Sequence, residues 1–151
     1  MYLELPIPTI FAHRGSKAHA PENTMSAFHL ALTHGAPAIE LDAKLTADGE
    51  IVVFHDRTLD RTTDGTGRLD NLPLAALREL DAGSHFSSQF RGEKIPTLAE
   101  VFESVGQQLF INVELTNYAT PKDQLPDRVV ALVQYFGLQN RVMFSSFSRI
   151  A

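Results

Sequence analysis

The chain has 151 residues, of which 44% are hydrophobic and 21% charged, and a formal net charge of -5. This is the composition of one globular domain rather than a disordered chain. The acidic balance offers no basic surface to neutralise the phosphates of DNA or RNA, so we expect no binding to nucleic acid. There is no cysteine, which excludes disulfides and thiolate metal sites.

The N-terminal segment MYLELPIPTIFAHRG has no basic region, no long apolar run and no small-residue cleavage site. No other stretch has the length and apolar character of a membrane span. We therefore expect a cytoplasmic protein without a transmembrane segment.

The first half of the chain predicts two strands separated by a helix. Residues 8–13 (PTIFAH) are typical of a short buried strand, and Asn23 is a candidate N-cap for a helix that ends at Gly35. The apolar face of this helix comprises Met25, Ala27, Phe28, Ala31 and Leu32. Residues 38–46 (AIELDAKLT) form the second strand, with Ile39, Leu41, Ala43 and Leu45 on one side and Glu40, Asp42 and Lys44 on the other.

The Asp48-Gly49 pair lies between two strand-like runs and predicts a hairpin with a two-residue loop. Counting back from this loop sets Asp42 opposite His55. Directly opposite residues of an antiparallel pair point to the same face. We therefore expect His55 to lie beside Asp42 on the acidic face of the second strand.

The stretch from Arg57 to Lys94 is rich in Asp, Gly, Ser and Thr and contains one short helical run, LPLAALREL. It predicts an excursion from the regular alternation, in which Asp56, Arg61 and Asp64 hold loop geometry. Thr97 and Glu100 then predict a capping box for a helix that ends at Gly106. Three further elements follow: a strand over 109–115, a helix over 126–137 with Pro126 in its first turn, and a strand over 141–147.

Alternating strands and helices predict a parallel sheet or barrel, with ligands at the carboxyl ends of the strands. A doubly wound sheet normally has a glycine-rich phosphate loop after its first strand, and Gly15 alone does not make one. His13, Asp42 and Glu114 all fall at predicted strand ends. Two strands that each carry an inward carboxylate suggest a shared cation, although a solvated surface strand would show the same alternation.

Nine short motifs follow one another along the chain: HRG, PENT, IELD, TADG, VVFHD, RTTDGTG, IPTL, NVEL and FSSF. In this order the sequence resembles the glycerophosphodiester phosphodiesterase family over nearly its whole length. The resemblance implies an α/β fold of the (β/α)8 TIM-barrel type with an insertion after strand two, at roughly residues 47–95. Residues 1–151 would then hold about the first four βα units of that domain.

The same resemblance implies metal-dependent hydrolysis of a small glycerophosphodiester to glycerol 3-phosphate and an alcohol. Six positions match residues to which the family's pattern assigns a role. They are the metal ligands Glu40, Asp42 and Glu114, the acid/base pair His13 and His55, and the phosphate contact Arg14. Carboxylate oxygens suit Ca²⁺ or Mg²⁺, whereas zinc prefers nitrogen or sulfur.

One position departs from the family's pattern. The family usually has a lysine two residues after the third carboxylate, where this chain has Thr116. Threonine offers a neutral hydrogen bond but no charge. Lys44, on the predicted face of Asp42, is a candidate substitute that would contact the substrate, and the alternative is a lysine that points to solvent.

Four predicted βα units make half of a barrel, which has eight strands. We therefore expect the open edges to be covered by a C-terminal half or by a second copy in a homo-oligomer. Two alternatives to this activity stay open. One is a truncated, catalytically incompetent metal-binding remnant of such an enzyme. The other is a phospholipase D-like relative acting on lysolipids, a group that is typically secreted and disulfide-bearing, unlike this sequence.

Overall fold

The computed structural model describes residues 5, 7–120 and 122–147, and this part of the chain forms an α/β fold. Its sheet has five strands: β1 (Phe11–His13), β2 (Ala38–Leu45), β3 (Ile51–Val53), β4 (Phe110–Leu115) and β5 (Val142–Ser145). The order β1-β2-β4-β5 is parallel throughout, and β3 pairs with β2 in the antiparallel sense. The predicted parallel sheet and its attached hairpin are therefore confirmed.

The α-helices of the described residues are α1 (Met25–Thr33), α2 (Leu74–Leu77), α3 (Leu98–Val105) and α4 (Leu125–Tyr135). The predicted capping box begins α3, because Thr97 Oγ1 accepts from the Glu100 N–H at 3.2 Å while Glu100 Oε2 accepts from the Thr97 N–H at 2.8 Å. Pro126 lies in the first turn of α4, as predicted. Within the described ranges, every helix is too short or too polar to cross a bilayer.

One apolar core joins α1, α3 and α4 to the sheet. Five odd-numbered residues of β2 and β4 are completely buried in it, namely Ile39, Leu41, Ala43, Ile111 and Val113. Because side chains alternate along a strand, the even-numbered residues of both strands point to the other side of the sheet. Packing of the core thereby places the carboxylates of β2 and β4 on one common side.

The excursion between β3 and α3 has a smaller apolar core of its own. Its buried members, which also include residues of β3 and the segments that flank the excursion, are Val52, Phe54, Leu59, Leu69, Leu77, Ala82 and Ile95. Besides α2, the segment contains two short 3₁₀ turns at 69–71 and 88–90. This packing fixes a turn-rich segment against the sheet, next to His55.

The hairpin register differs by one residue from the prediction. Ala43 pairs with Val53, and Leu45 with Ile51, so that the loop contains three residues, 47–49, rather than two. Gly49 closes it with a φ of +85°, the left-handed conformation that a three-residue hairpin loop requires. The predicted pairing of Asp42 with His55 was therefore wrong.

The longer loop has a physical cause outside the hairpin. The carboxylate of Asp48 accepts from the Thr46 hydroxyl at 2.5 Å and from the backbone N–H of Leu74 at 3.0 Å. The Leu74 bond ties the loop to the start of α2, a contact that the local sequence does not encode. As a result the Phe54 N–H, not a group of His55, bonds to the Asp42 carbonyl at 2.8 Å, and β3 ends before His55.

Two further predictions at the N-terminal side were wrong. Thr24, not Asn23, caps α1, since its Oγ1 accepts from the Ala27 N–H at 3.3 Å. The predicted buried strand is short and partly exposed: β1 covers only residues 11–13, and the preceding Ile10 is 75% exposed. Its position at the edge of the described sheet explains this exposure, because β2 is its one strand partner there.

Candidate active site

Three carboxylates converge on the side of the sheet opposite the apolar core. Asp42 of β2 is paired in register with Glu114 of β4, and Glu40 lies two residues before Asp42. One oxygen of each group lies within 4.8 Å of the others. Oxygen ligands of Ca²⁺ lie at about 2.3–2.6 Å, so two ligands of one ion are at most about 5 Å apart. The cluster therefore has the dimensions of a single cation site.

The electrostatics of the cluster favour a cation. Asp42 is completely buried and Glu40 is 7% exposed. Burial, together with the neighbouring charge of Asp42, raises the pKa of Glu40 to about 7. Among the described residues, Oε1 of Glu40 and Oδ1 of Asp42 find no hydrogen-bond partner. Buried acceptors without partners are costly, and a divalent cation would supply the missing interaction.

The remaining oxygens of these carboxylates are held by protein donors. Asp42 Oδ2 accepts from the side-chain amide of Asn23 at 2.8 Å, and Glu40 Oε2 accepts from the backbone N–H of Arg14 at 3.1 Å. Tyr118 donates its hydroxyl proton to Oε1 of Glu114. Asn23 is thus a site residue that the cap interpretation missed, and its φ of +58° is one that asparagine tolerates.

Arg14 is placed by a tight turn directly after β1. Its φ is +59°, and a Cβ on the following Gly15 would lie only 2.7 Å from the Cβ of Ala27, so glycine is required there. The guanidinium lies between two carboxylates, with Nη1 3.0 Å from Glu22 Oε1 and Nε 3.3 Å from Asp42 Oδ2. The turn therefore delivers a planar cation to the edge of the acidic cluster.

His13 ends β1 and is in register with Glu40. Its Nε2 lies 3.6 Å from Glu40 Oε2, and its Nδ1 accepts from the Lys17 ammonium at 2.7 Å. Burial lowers the pKa of His13, and the charges of Lys17 and Arg14 lower it further. The ring is therefore neutral near pH 7, and because its Nδ1 accepts from Lys17, the ring proton lies on Nε2.

His55 reaches the polar side from the loop after β3 rather than from the strand itself. Its Nδ1 lies 2.6 Å from Asp56 Oδ1, and its side chain is 39% exposed. It lines a cavity of about 450 Å³ together with Lys44, Thr116 and Tyr118. The structure thus places His55 close to Tyr118, the residue that bonds Glu114. It does so through the loop after β3 and not through the predicted hairpin pairing.

The side chain of Lys44 contacts Thr116. Its ammonium donates to the Thr116 carbonyl at 3.1 Å and to Thr116 Oγ1 at 2.9 Å. Burial lowers the pKa of Lys44. The lysine is therefore not directed to bulk solvent, and its charge lies beside the position at which the family usually has its own lysine.

The acidic cluster, one imidazole and the guanidinium lie at the carboxyl ends of parallel strands, and a second imidazole comes from the loop after β3. This is the arrangement of a barrel-type α/β enzyme. The chain belongs to the glycerophosphoryl diester phosphodiesterase family, whose model matches residues 13–149. It is 41% identical over 140 residues to a glycerophosphodiester phosphodiesterase of Caldanaerobacter subterraneus subsp. tengcongensis, an alignment that covers 92% of this chain and 58% of that protein. It is 46% identical over 111 residues to glycerophosphodiester phosphodiesterase 1 of Bos taurus, which covers 72% of this chain and 34% of the relative.

Solved structures show the same relationship. A phosphodiesterase of Oleispira antarctica, in complex with the product sn-glycerol-3-phosphate, matches with a TM-score of 0.91 and 39% identity over 98% of this chain and 60% of that one. A glycerophosphodiester phosphodiesterase of Agrobacterium tumefaciens matches with a TM-score of 0.85 and 40% identity over 93% of this chain and 58% of that one. The chain thus spans less than two thirds of these relatives and has part of their TIM-barrel fold, as expected.

Proposed function

We propose that this chain carries the reactive part of a glycerophosphodiester phosphodiesterase, which releases glycerol 3-phosphate and an alcohol. The observation that carries the proposal is the convergence of Glu40, Asp42 and Glu114 within 4.8 Å, with Arg14 and His13 at its edge. Family membership supports it, and so does the likeness to an enzyme solved with sn-glycerol-3-phosphate.

The cofactor that we propose is a divalent cation, Ca²⁺ or Mg²⁺, held by Glu40, Asp42 and Glu114. Their oxygens match the preference of these hard ions. When bound, the cation polarises a phosphoryl oxygen and offsets negative charge that develops on it. All other tasks fall to side chains of this chain.

Arg14 is the proposed phosphate contact. Its guanidinium is planar and permanently charged, so it can donate two parallel hydrogen bonds to a phosphodiester anion. Lys44 adds a second positive charge beside Thr116, as a point charge rather than a fork. Both cations stabilise the charge that accumulates on phosphoryl oxygens as the reaction proceeds.

His13 and His55 are the proposed acid/base pair. One ring accepts the proton of the attacking hydroxyl or water while the oxygen of that attacking group bonds to phosphorus. The other donates a proton to the alkoxide that leaves as the phosphorus–oxygen ester bond breaks. A neutral His13 carries its proton on Nε2, because Nδ1 accepts from Lys17, and His55 holds its Nδ1 against Asp56, which leaves Nε2 for the transfer.

The test is the release of glycerol 3-phosphate from glycerophosphodiesters by the chain alone, and by the chain mixed with the remaining half of a family barrel. Each is assayed with Ca²⁺, with Mg²⁺ and with EDTA. We expect cation-dependent release in the mixture. The rival is a chain that binds cations without catalysis. Cation binding without release in either sample would establish that rival.

A further inference from the structure

Arg61 lies in the excursion after β3, outside the residues that the proposed reaction uses. Its Nε and Nη2 donate to the two oxygens of Asp56 at 2.6 and 3.1 Å. Its Nη1 and Nη2 donate to the two oxygens of Glu22 at 2.9 and 2.7 Å. One guanidinium therefore makes two bidentate pairs, a geometry that fixes direction as well as distance.

Each of these carboxylates has a second bond, and both second bonds go to the candidate active site. Asp56 Oδ1 lies 2.6 Å from His55 Nδ1. Glu22 Oε1 accepts from Arg14 Nη1 at 3.0 Å. The bonds form one continuous chain from the phosphate contact to one of the two imidazoles, with Arg61 at its centre.

The charges along this chain decide how the imidazole is held. Hydrogen bonds from Arg61 lower the pKa of Asp56 and of Glu22 to about 2. Both groups are therefore ionised near neutral pH, and an ionised carboxylate only accepts hydrogen bonds. The proton between Asp56 and a neutral His55 must then lie on Nδ1, which leaves the lone pair on Nε2.

An exposed arginine between two carboxylates is often only a structural ion pair that holds two loops together, and the side chain of Arg61 is 49% exposed. Arg68 in the same excursion makes a purely local ion pair, because it bonds Asp70 two residues away. Arg61 differs in that one of its pairs joins the excursion to Glu22, which is 39 residues away in the turn before α1. A purely structural ion pair between loops would not require that its two carboxylates also bond His55 and Arg14.

We propose that Arg61 is a positioning residue for this site. Through Asp56 it sets the tautomer and orientation of the His55 ring. Through Glu22 it holds the guanidinium of Arg14 in line with that ring. The roles of His55 and Arg14 rest on the proposed function, and the inference adds the residue that aligns proton transfer with phosphate binding.

The experiment uses the ¹⁵N-labelled chain with Arg61→Gln, Arg61→Lys and, as matched control, Arg68→Gln. Long-range ¹H–¹⁵N spectra of the imidazoles show which nitrogen of neutral His55 carries the proton, with His55→Gln for assignment. We expect the Nδ1–H form in the wild type and in the control. In Arg61→Gln we expect a mixture with the Nε2–H form, because Asp56 is released.

Arg61→Lys keeps the charge but cannot make two forks, so we expect it to restore thermal stability without restoring the pure Nδ1–H form. If Arg61→Gln does not fold, the lysine variant carries the test. When the chain is combined with the remaining half of a family barrel and given a glycerophosphodiester substrate, Arg61→Gln should lower kcat by about 10–100-fold, the usual effect of removing a partner that orients a site residue.

An unchanged His55 tautomer in every Arg61 variant that folds would overturn the proposal, whatever the activity of these variants. A shifted tautomer, combined with a wild type that hydrolyses no glycerophosphodiester even when mixed with the remaining half of a family barrel, would support the positioning role and contradict the proposed function. The spectroscopic result therefore separates the two ideas, because it does not depend on turnover.

Discussion

Replacing Glu40 by glutamine removes one charge from the acidic cluster and keeps the shape of the side chain. In the folded chain, burial and the charge of Asp42 raise the pKa of Glu40 from 4.5 to about 7. The folded state therefore binds this proton more tightly than the unfolded state does. The contribution of this proton to the free energy of unfolding is fully present below about pH 4.5 and is lost as the pH rises through 7. At 1.36 kcal/mol per pH unit, the loss above pH 7 is about 3 kcal/mol.

Glu40→Gln should therefore stabilise the cation-free chain at about pH 8 by up to about 3 kcal/mol, and should have little effect at about pH 4. The new amide can also donate to Asp42 Oδ1, which has no partner among the described residues. The measurement is urea unfolding in EDTA at both pH values, repeated with Ca²⁺ and with Mg²⁺. In the presence of cation, the wild type should gain stability and the variant should gain much less.

Glu103→Gln is the matched control, since Glu103 is exposed on α3 and lies outside the carboxylate cluster. It should change neither the pH dependence nor the response to cations. The reasoning is refuted if Glu40→Gln is no more stable than the wild type in EDTA at the higher pH. It is refuted equally if the variant gains as much stability from cations as the wild type does.

Three further predictions concern catalysis and assembly. His13→Ala and His55→Ala should each lower kcat by about 10²–10⁴-fold, the usual contribution of a positioned acid or base; near-normal rates would remove that residue from the mechanism. Lys44→Thr should raise KM for a glycerophosphodiester, and the exchange variant Lys44→Thr/Thr116→Lys should restore it, since the charge returns to the same place; failure of the exchange to restore KM would show that Lys44 is structural. The isolated chain should be inactive as a monomer and gain activity when the remaining half of a family barrel is added, because apolar residues such as Phe147, 85% exposed, are uncovered next to β5. Light scattering combined with the activity assay measures both properties, and a fully active monomer would contradict this prediction.

Local signals in the sequence were sufficient for several elements. The Thr97 and Glu100 pair predicted the start of α3 because a capping box is made by residues three apart. Alternation along β2 predicted which residues enter the core, because one face of a strand is buried as a unit. The rule that parallel strands present their carboxyl ends together was enough to expect Asp42 and Glu114 to converge.

Other features depend on contacts that no local pattern contains. The hairpin loop has three residues and not two because Asp48 bonds the distant Leu74 N–H. Asn23 donates a hydrogen bond to Asp42 and does not cap a helix. The position of Lys44 against Thr116 joins residues 72 apart in sequence. Tyr118 gave no sequence signal, because its contact with Glu114 depends on how the loop after β4 folds back.

We propose that Glu40, Asp42 and Glu114 hold a divalent cation on which phosphodiester hydrolysis depends. The most direct measurement is the rate of glycerol 3-phosphate release at increasing Ca²⁺ or Mg²⁺ concentration, for wild type and Asp42→Asn, each combined with the remaining half of a family barrel. The wild-type rate should rise to saturation with the cation and vanish in EDTA, while Asp42→Asn should show no cation-dependent release. Undiminished release in EDTA, or an Asp42→Asn variant that responds to cations as the wild type does, would contradict the claim.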